Sequence, residues 1–124
     1  MSKKKGLTYE EKLMASLHQL PNPIIDRYHR IKIYLKDDQA RSNRSRFEHI
    51  IEIRHGLTVS DIEQIRKQID KSILRKDKER KNTYNLYIRR KNSKNDYIKI
   101  AMLLNFSKSN KAVVKTIYIT KNLK

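Results

Sequence analysis

A chain of 124 residues with 30 Lys and Arg against 13 Asp and Glu carries a formal net charge of +17 at pH 7. This length suits one domain, and the absence of cysteine excludes disulfide frameworks, thiolate nucleophiles and cysteine-rich zinc sites. No apolar run reaches membrane-spanning length. The charge favours a polyanionic partner, because basic side chains release the counterions of a nucleic acid. We expect a cytoplasmic protein without membrane contact that binds nucleic acid, RNA rather than DNA.

The first third of the chain predicts a basic tail, a capped helix and a strand. Residues 1–6 form the tail, which we expect to be flexible, and residues 7–124 form a single α+β domain. Thr8 and Glu11 have the spacing of a capping box, which predicts a helix over 8–20. Apolar residues alternate over 26–35, which predicts a strand.

Two more helices are predicted after a polar connection at 36–45. A stripe of apolar residues predicts a helix over 46–55 that ends at Gly56. Isoleucines recur at helical spacing over 60–74, where Ser60 and Glu63 would form a second capping box.

Three strands are predicted to follow, over 83–90, 97–106 and 112–120. The fold class is therefore α+β, with N-terminal helices packed on one face of a three- to four-stranded antiparallel sheet and the other face partly open. On the last strand, alternation places Val114, Thr116, Tyr118 and Thr120 on one face, against Val113, Lys115, Ile117 and Ile119 on the other. A face that carries Lys, Arg, Thr and Tyr is suited to bind RNA.

The histidines could support RNA cleavage without a metal. Such cleavage needs a base for the 2′-OH, an acid for the leaving oxygen and cations for the charged phosphorane. Histidine suits the first two roles. His49 and His55 are about 240° apart on an ideal helix, so either the helix breaks near Arg54 or only one of them reaches the site. Otherwise one packs or caps a helix end and the other is solvated. His18 and His29 are interpreted as structural or surface residues.

One run of motifs resembles a ribonuclease superfamily. His49-Ile50 and Arg54-His55, then a capped helix and three strands, resemble phage and mobile-element members of the barnase, EndoU, colicin-type tRNase and RelE-like superfamily. The strand matches are Tyr87 with Arg89, Tyr97 to Leu104, and Thr116 with Tyr118. The resemblance covers about residues 47–120 and implies a metal-independent endoribonuclease without a cofactor, with toxin or anti-phage roles common. Gly56 departs from the proline that often follows this histidine in the family.

Candidate roles can be assigned to the residues of these motifs. His55 or His49 would act as general base or acid, while Arg54, Arg89 and Lys99 would contact the scissile phosphate. Thr116 would bind the phosphate or the 2′-OH. Tyr87 or Tyr118 would stack on a base. The residues expected to bind the nucleic acid are Arg44, Arg46, Tyr87, Arg90, Lys115 and Tyr118.

Three classes of function remain open from the sequence. The first is a toxin-like endoribonuclease of a phage or mobile element, acting on RNA such as tRNA and countered by an acidic antitoxin or immunity protein. The second is a non-catalytic RNA- or DNA-binding module. The third is a protein-interaction adaptor whose lysine excess reflects coding bias.

Overall fold

The computed structural model describes residues 8–35, 46–53, 56–91, 93–105 and 111–121. The helices are α1 (Tyr9–His18), α2 (Arg46–Ile53) and α3 (Val59–Gln68), followed by a 3-10 helix at Ile69–Lys71. The strands are β1 (Ile24–Asp26), β2 (Ile31–Tyr34), β3 (Ile73–Lys76), β4 (Thr83–Arg89), β5 (Tyr97–Asn105) and β6 (Lys111–Thr120). The predicted tail at 1–6 lies outside the described residues. No helix in the described ranges is long and apolar enough to cross a membrane.

The sheet overturns the predicted three- to four-stranded antiparallel arrangement. It has six strands in the order β1-β2-β6-β5-β4-β3, and it is mixed because β2 runs parallel to β6. Ile33 of β2 lies opposite Ala112 of β6, so two segments that are far apart in sequence pair inside one sheet. Alternation along a single segment predicts a strand but not a partner this distant in sequence, which is why the prediction was wrong.

The two edge regions account for the additional strands. The strand predicted over 26–35 is a hairpin, since β1 ends at Asp26 and β2 begins at Ile31. The turn between them is stabilised by the Asp26 carboxylate, which accepts the backbone N–H groups of Tyr28 and His29 at 3.1 and 3.4 Å. The helix predicted over 60–74 ends early, and the last isoleucine of that range, Ile73, begins β3.

The predicted capping box of α1 is confirmed, and that of α3 is wrong. Thr8 and Glu11 form the expected capping box of α1. The box of α3 uses Thr58 and Asp61 rather than Ser60 and Glu63. Asp61 also accepts two hydrogen bonds from the Arg90 guanidinium, at 2.9 and 2.8 Å, so a contact beyond the helix favours this start.

All three helices pack against one face of the sheet. The core between them contains Leu13 and Leu17 of α1, Phe47, Ile50 and Ile51 of α2, Ile62 and Ile65 of α3, and Leu86, Ile98, Ile100 and Met102 of the sheet. Successive residues of a strand point to opposite faces. The opposite side, here called the polar face, therefore carries Ile25, Lys32, Tyr34, Ile73, Arg75, Thr83, Asn85, Tyr87, Arg89, Tyr97, Lys99, Ala101, Leu103, Lys111, Val113, Thr116, Tyr118 and Thr120.

A β-bulge corrects the predicted faces of β6. Ala101 lies opposite Thr116 while the next residue, Met102, lies opposite Val114, so Lys115 is an extra residue in the ladder. The extra residue reverses the alternation at that point. Val114 is consequently buried with Ile117 in the helix-side core, whereas it was predicted to share a face with Thr116.

Candidate nucleic-acid interface

The strands contribute cations but no carboxylate to the polar face, and the Asp77 carboxylate, which follows β3, reaches Asn85 there. The five cations of this face lie on five different strands: Lys32, Arg75, Arg89, Lys99 and Lys111. Within the strands, the only carboxylate is Asp26, which is fully buried on the helix side. Glutamates lie instead on the helices, for example Glu10, Glu11 and Glu63. The strands therefore add only positive charge to the polar face, whereas the helices carry both signs, for example Glu63 and Lys67 on α3.

Lys99 lies at the centre of this face between two tyrosines. Its Nζ is 5.2 Å from the ring centroid of Tyr118 and 5.8 Å from that of Tyr87, which are distances for cation–π contact. Burial alone would lower the pKa of Lys99, but the hydrogen bond with the Tyr118 hydroxyl and the charges of nearby groups raise it above its usual value. Lys99 is therefore a fixed cation at neutral pH.

Cations and aromatic rings alternate across the rest of the face. The Arg89 guanidinium lies 5.5 Å from the Tyr97 ring, and the Lys111 Nζ lies 6.0 Å from the Tyr34 ring. Arg89 also donates to the backbone carbonyl of Lys94 at 3.2 Å. These contacts hold long, flexible cationic side chains in place, which lowers the entropy lost when they bind an anion.

Two polar atoms of this face are buried and lack a hydrogen-bond partner, the Oδ1 of Asn85 and the Oγ1 of Thr116. Asn85 lies opposite Ala101, and Ala101 lies opposite Thr116, so the three form one row across β4, β5 and β6. The Asn85 amide donates from Nδ2 to Asp77 at 3.3 Å, which leaves Oδ1 as the unpaired acceptor. Buried polar groups without partners are uncommon in folded proteins.

Asp77, which follows β3, holds the Asn85 amide in its orientation. The carboxylate of Asp77 accepts the backbone N–H groups of Glu79 and Arg80 at 2.9 and 3.0 Å. The hydrogen bond from Glu79 is the main cause that keeps the pKa of Asp77 below its usual value, and Lys99 contributes. The Asp77 carboxylate is therefore ionised at neutral pH, and it holds the Asn85 amide through the nitrogen while the Asn85 oxygen has no partner.

Sequence reasoning named five residues that the structure brings together on the polar face. They are Tyr87, Arg89, Lys99, Thr116 and Tyr118. Arg90, which was predicted to bind nucleic acid, instead forms an ion pair with Asp61 and donates to the Gly56 carbonyl at 2.8 Å. Lys115 is the bulged residue of β6.

The histidine helix does not join this group of residues. Helix α2 buries Phe47, Ile50 and Ile51 in the helix-side core, so its backbone lies across the sheet from Lys99. For Arg46 and His49, the structure describes the backbone, which lies in α2. The predicted residues Arg44, Arg54 and His55 lie outside the described ranges.

Sequence reasoning missed two features that carry polar chemistry. Asn85 was not singled out, although its place two residues before Tyr87 puts it on the same face of a strand. His29 was interpreted as structural or surface, but its partner was not predicted: the Nδ1 donates to the buried Asp26 carboxylate, which orients the ring. The segment from Asp26 to His29 has the composition of an Asx turn, and that signal could have predicted the contact.

No part of the described chain gathers three or more His, Asp or Glu side chains around a possible metal ion. Comparisons of this chain with models of protein families, with curated proteins and with solved structures found no match.

Proposed function

We propose that this protein binds single-stranded RNA on the polar face of its sheet. The observation that carries the proposal is the placement of cations beside tyrosine rings on a face whose strands contribute no carboxylate. Lys99 contacts the partly exposed Tyr118 and the fully buried Tyr87, so Tyr118 is the ring of this pair that can meet a base. Cations bind the phosphates and release their counterions. Aromatic rings stack on bases, and bases are free to stack when the strand is single.

Exposed apolar side chains on the same face add support. Of the five large hydrophobic side chains that are exposed in the described chain, Ile25, Ile73 and Leu103 belong to the polar face. A single-stranded nucleic acid presents apolar base faces beside charged phosphates. A surface that mixes exposed apolar groups with cations matches both parts of that ligand.

Tyr118 provides the direct test of this proposal. Changing Tyr118→Leu should weaken the binding of a labelled RNA oligomer about 5- to 100-fold, because loss of one base–aromatic stack costs about 1–3 kcal/mol. Fluorescence anisotropy at fixed salt measures the change. Tyr28 lies in the β1–β2 turn and is 77% exposed, so Tyr28→Leu is the matched control and should leave affinity unchanged.

Three other results would count against this interface. Equal binding by Tyr118→Leu and the unchanged protein would contradict stacking at this position. Weaker binding by Tyr28→Leu alone would place the RNA on the hairpin turn instead. Tighter binding of a DNA oligomer of the same sequence would contradict the choice of RNA, since the 2′-OH is the group that distinguishes the two.

A second candidate function is metal-independent cleavage of the bound RNA by attack of the 2′-OH. The observation that favours it is the shared placement of Arg89, Lys99 and Thr116 on the polar face. Arg89 and Lys99 are expected to contact the scissile phosphate, and Thr116 the phosphate or the 2′-OH. A protonated Lys99 would stabilise the negative charge that develops on the phosphorane. The proton-transfer groups that the family resemblance implies are His49, which lies on α2 across the sheet from Lys99, and His55, which lies outside the described ranges. His29, which Asp26 orients, is the third candidate.

Incubation of purified protein with total RNA in EDTA tests this cleavage. We expect fragments with the unchanged protein, and a loss of at least tenfold in rate for Lys99→Met, since removal of one transition-state donor costs about 10²–10³ in rate. A His49→Ala/His55→Ala double variant and a separate His29→Ala variant identify the proton-transfer group. Equal cleavage by all variants would indicate contamination, and no cleavage by any would contradict the second candidate.

An acidic protein partner follows from the second candidate only. A toxin-like ribonuclease needs an inhibitor in the cell that makes it, and complementary charge gives fast capture. The five cations of the polar face would then be the surface that an acidic antitoxin or immunity protein covers.

A further inference from the structure

The row Asn85–Ala101–Thr116, here called the slot, is centred on the small side chain of Ala101 and is covered by other side chains, since Asn85 is 1% and Ala101 8% exposed. Paired residues on adjacent strands lie about 5 Å apart, so the Cα atoms at the two ends of the row are about 10 Å apart. Alanine is the smallest side chain on this part of the face, and it lies between them. The neighbouring rows lie about 7 Å away along the strands on either side, with Lys99 in one and Leu103 in the other.

The two ends of the slot present complementary hydrogen-bonding groups. The Asn85 oxygen is an acceptor, because the Asn85 amide nitrogen is held by Asp77 at 3.3 Å. The Thr116 hydroxyl can both donate and accept. Both atoms are buried and unpaired in the free protein. A ligand that bonds to them would satisfy two groups whose burial otherwise destabilises the fold.

The side walls of the slot suit a flat ligand with apolar faces. Leu103, which is 45% exposed, stands in one neighbouring row, opposite Thr83 and Val113. The other row contains Tyr87 and Tyr118 on either side of Lys99. A nucleobase has apolar faces and a polar edge, whereas a phosphate has neither. Since both oxygens are shielded from solvent, an entering base must displace the side chains that cover them.

We propose that Asn85 and Thr116, on either side of Ala101, form a nucleobase-recognition subsite within the RNA-binding face. The inference rests on the proposed function and adds the position at which one base of the strand is bound by its edge. The Asn85 acceptor takes an N–H of the base, and Thr116 bonds to a second atom of the same edge. Lys99, in the adjacent row, binds the phosphate of that nucleotide or its neighbour.

Thr116→Val tests the subsite, because it removes the hydroxyl and keeps the shape of the side chain. We expect the variant to melt at a higher temperature than the unchanged protein, since an unpaired buried polar atom has been removed. We also expect it to bind RNA roughly 5- to 10-fold more weakly, the loss of about one hydrogen bond. Thr116→Ser restores the hydroxyl and should regain most of the affinity.

RNA oligomers with a single abasic position identify the group that is bound. The unchanged protein should bind the RNA with one particular abasic position more weakly than it binds the intact RNA. Thr116→Val should bind those two RNAs with equal affinity, because it has already lost the contact to that base. Ala101→Leu fills the slot and should abolish the same positional difference. If Thr116→Val instead binds every abasic RNA more weakly than the unchanged protein does, and by the same factor, the Thr116 hydroxyl bonds to the ribose or phosphate. That result would overturn the assignment to a base.

The two proposals fail in distinguishable ways. If Thr116→Val melts higher but binds RNA as the unchanged protein does, while Tyr118→Leu binds weakly, the subsite is wrong and the RNA-binding face stands. If neither substitution changes RNA affinity, the face itself is not the binding site. A variant of Thr116 that fails to fold is replaced in these comparisons by Ala101→Leu.

Discussion

Lys99→Met is expected to weaken RNA binding about 10- to 100-fold while the protein stays folded. A hydrogen bond to a charged group contributes about 1.5–3 kcal/mol, and each 1.4 kcal/mol is a factor of ten in affinity. Methionine keeps an unbranched apolar stem between Tyr87 and Tyr118 but removes the positive charge. Titrations of labelled RNA at several salt concentrations measure the loss.

The salt dependence distinguishes contact from general attraction. If Lys99 binds a phosphate, the slope of log affinity against log salt should fall by about one for the variant. Lys67 is an exposed lysine on α3, on the opposite side of the sheet, and Lys67→Met removes the same charge from the chain. Equal losses in the two variants would show that net charge alone attracts RNA, and would contradict a defined site on the polar face.

Asp61→Ala should produce the largest loss of stability, about 3 kcal/mol of unfolding free energy. Removing one partner of a buried ion pair costs about 3–5 kcal/mol, and we expect the lower end because the Arg90 side chain is partly exposed. Asp61 also supplies the capping box of α3 with Thr58, so the substitution removes two stabilising contacts together. Urea unfolding followed by circular dichroism measures the free energy.

Glu63→Ala is the control for this prediction. Glu63 is exposed on the same helix and belongs to the capping box that the sequence predicted, so its replacement should change stability by about 0.5 kcal/mol or less. A double variant, Asp61→Ala with Arg90→Met, should lose less than the sum of the two single losses, because no unpaired charge is left. Equal losses for Asp61→Ala and Glu63→Ala would contradict the assigned cap.

Substitutions on the helix side should change stability, whereas substitutions on the polar face should change RNA affinity. Asp61 and Arg90 join α3 to the end of β4 on the helix side, whereas Lys99 and Tyr118 lie on the polar face. Distant, independent sites have nearly additive effects on stability. Asp61→Ala should therefore lower the melting temperature without changing the RNA affinity of the molecules that remain folded.

Much of the candidate interface could be predicted from local pattern. Lys99 and Tyr97 are two residues apart on one strand, as are Thr116 and Tyr118 on another, so alternation alone places each pair on a common face. That β5 and β6 are neighbours was also predicted, since a short polar turn separates them. What the pattern did not show was Asn85, because the importance of that residue depends on its row with Ala101 and Thr116.

The sequence by itself determined the cationic character, the start of α1 and the approximate bounds of α2, β4, β5 and β6. Those features depend on interactions between residues a few positions apart: the Thr8–Glu11 box, helical spacing and strand alternation. Tertiary structure alone decided the parallel pairing of β2 with β6, the start of α3 at Val59 and the bulge at Lys115. Each of these depends on a contact with a strand or side chain far along the chain, where local propensity carries no information. The position of α2 across the sheet from Lys99 has the same cause, because burial of its apolar stripe in the shared core, rather than its histidine motif, determines where the helix lies.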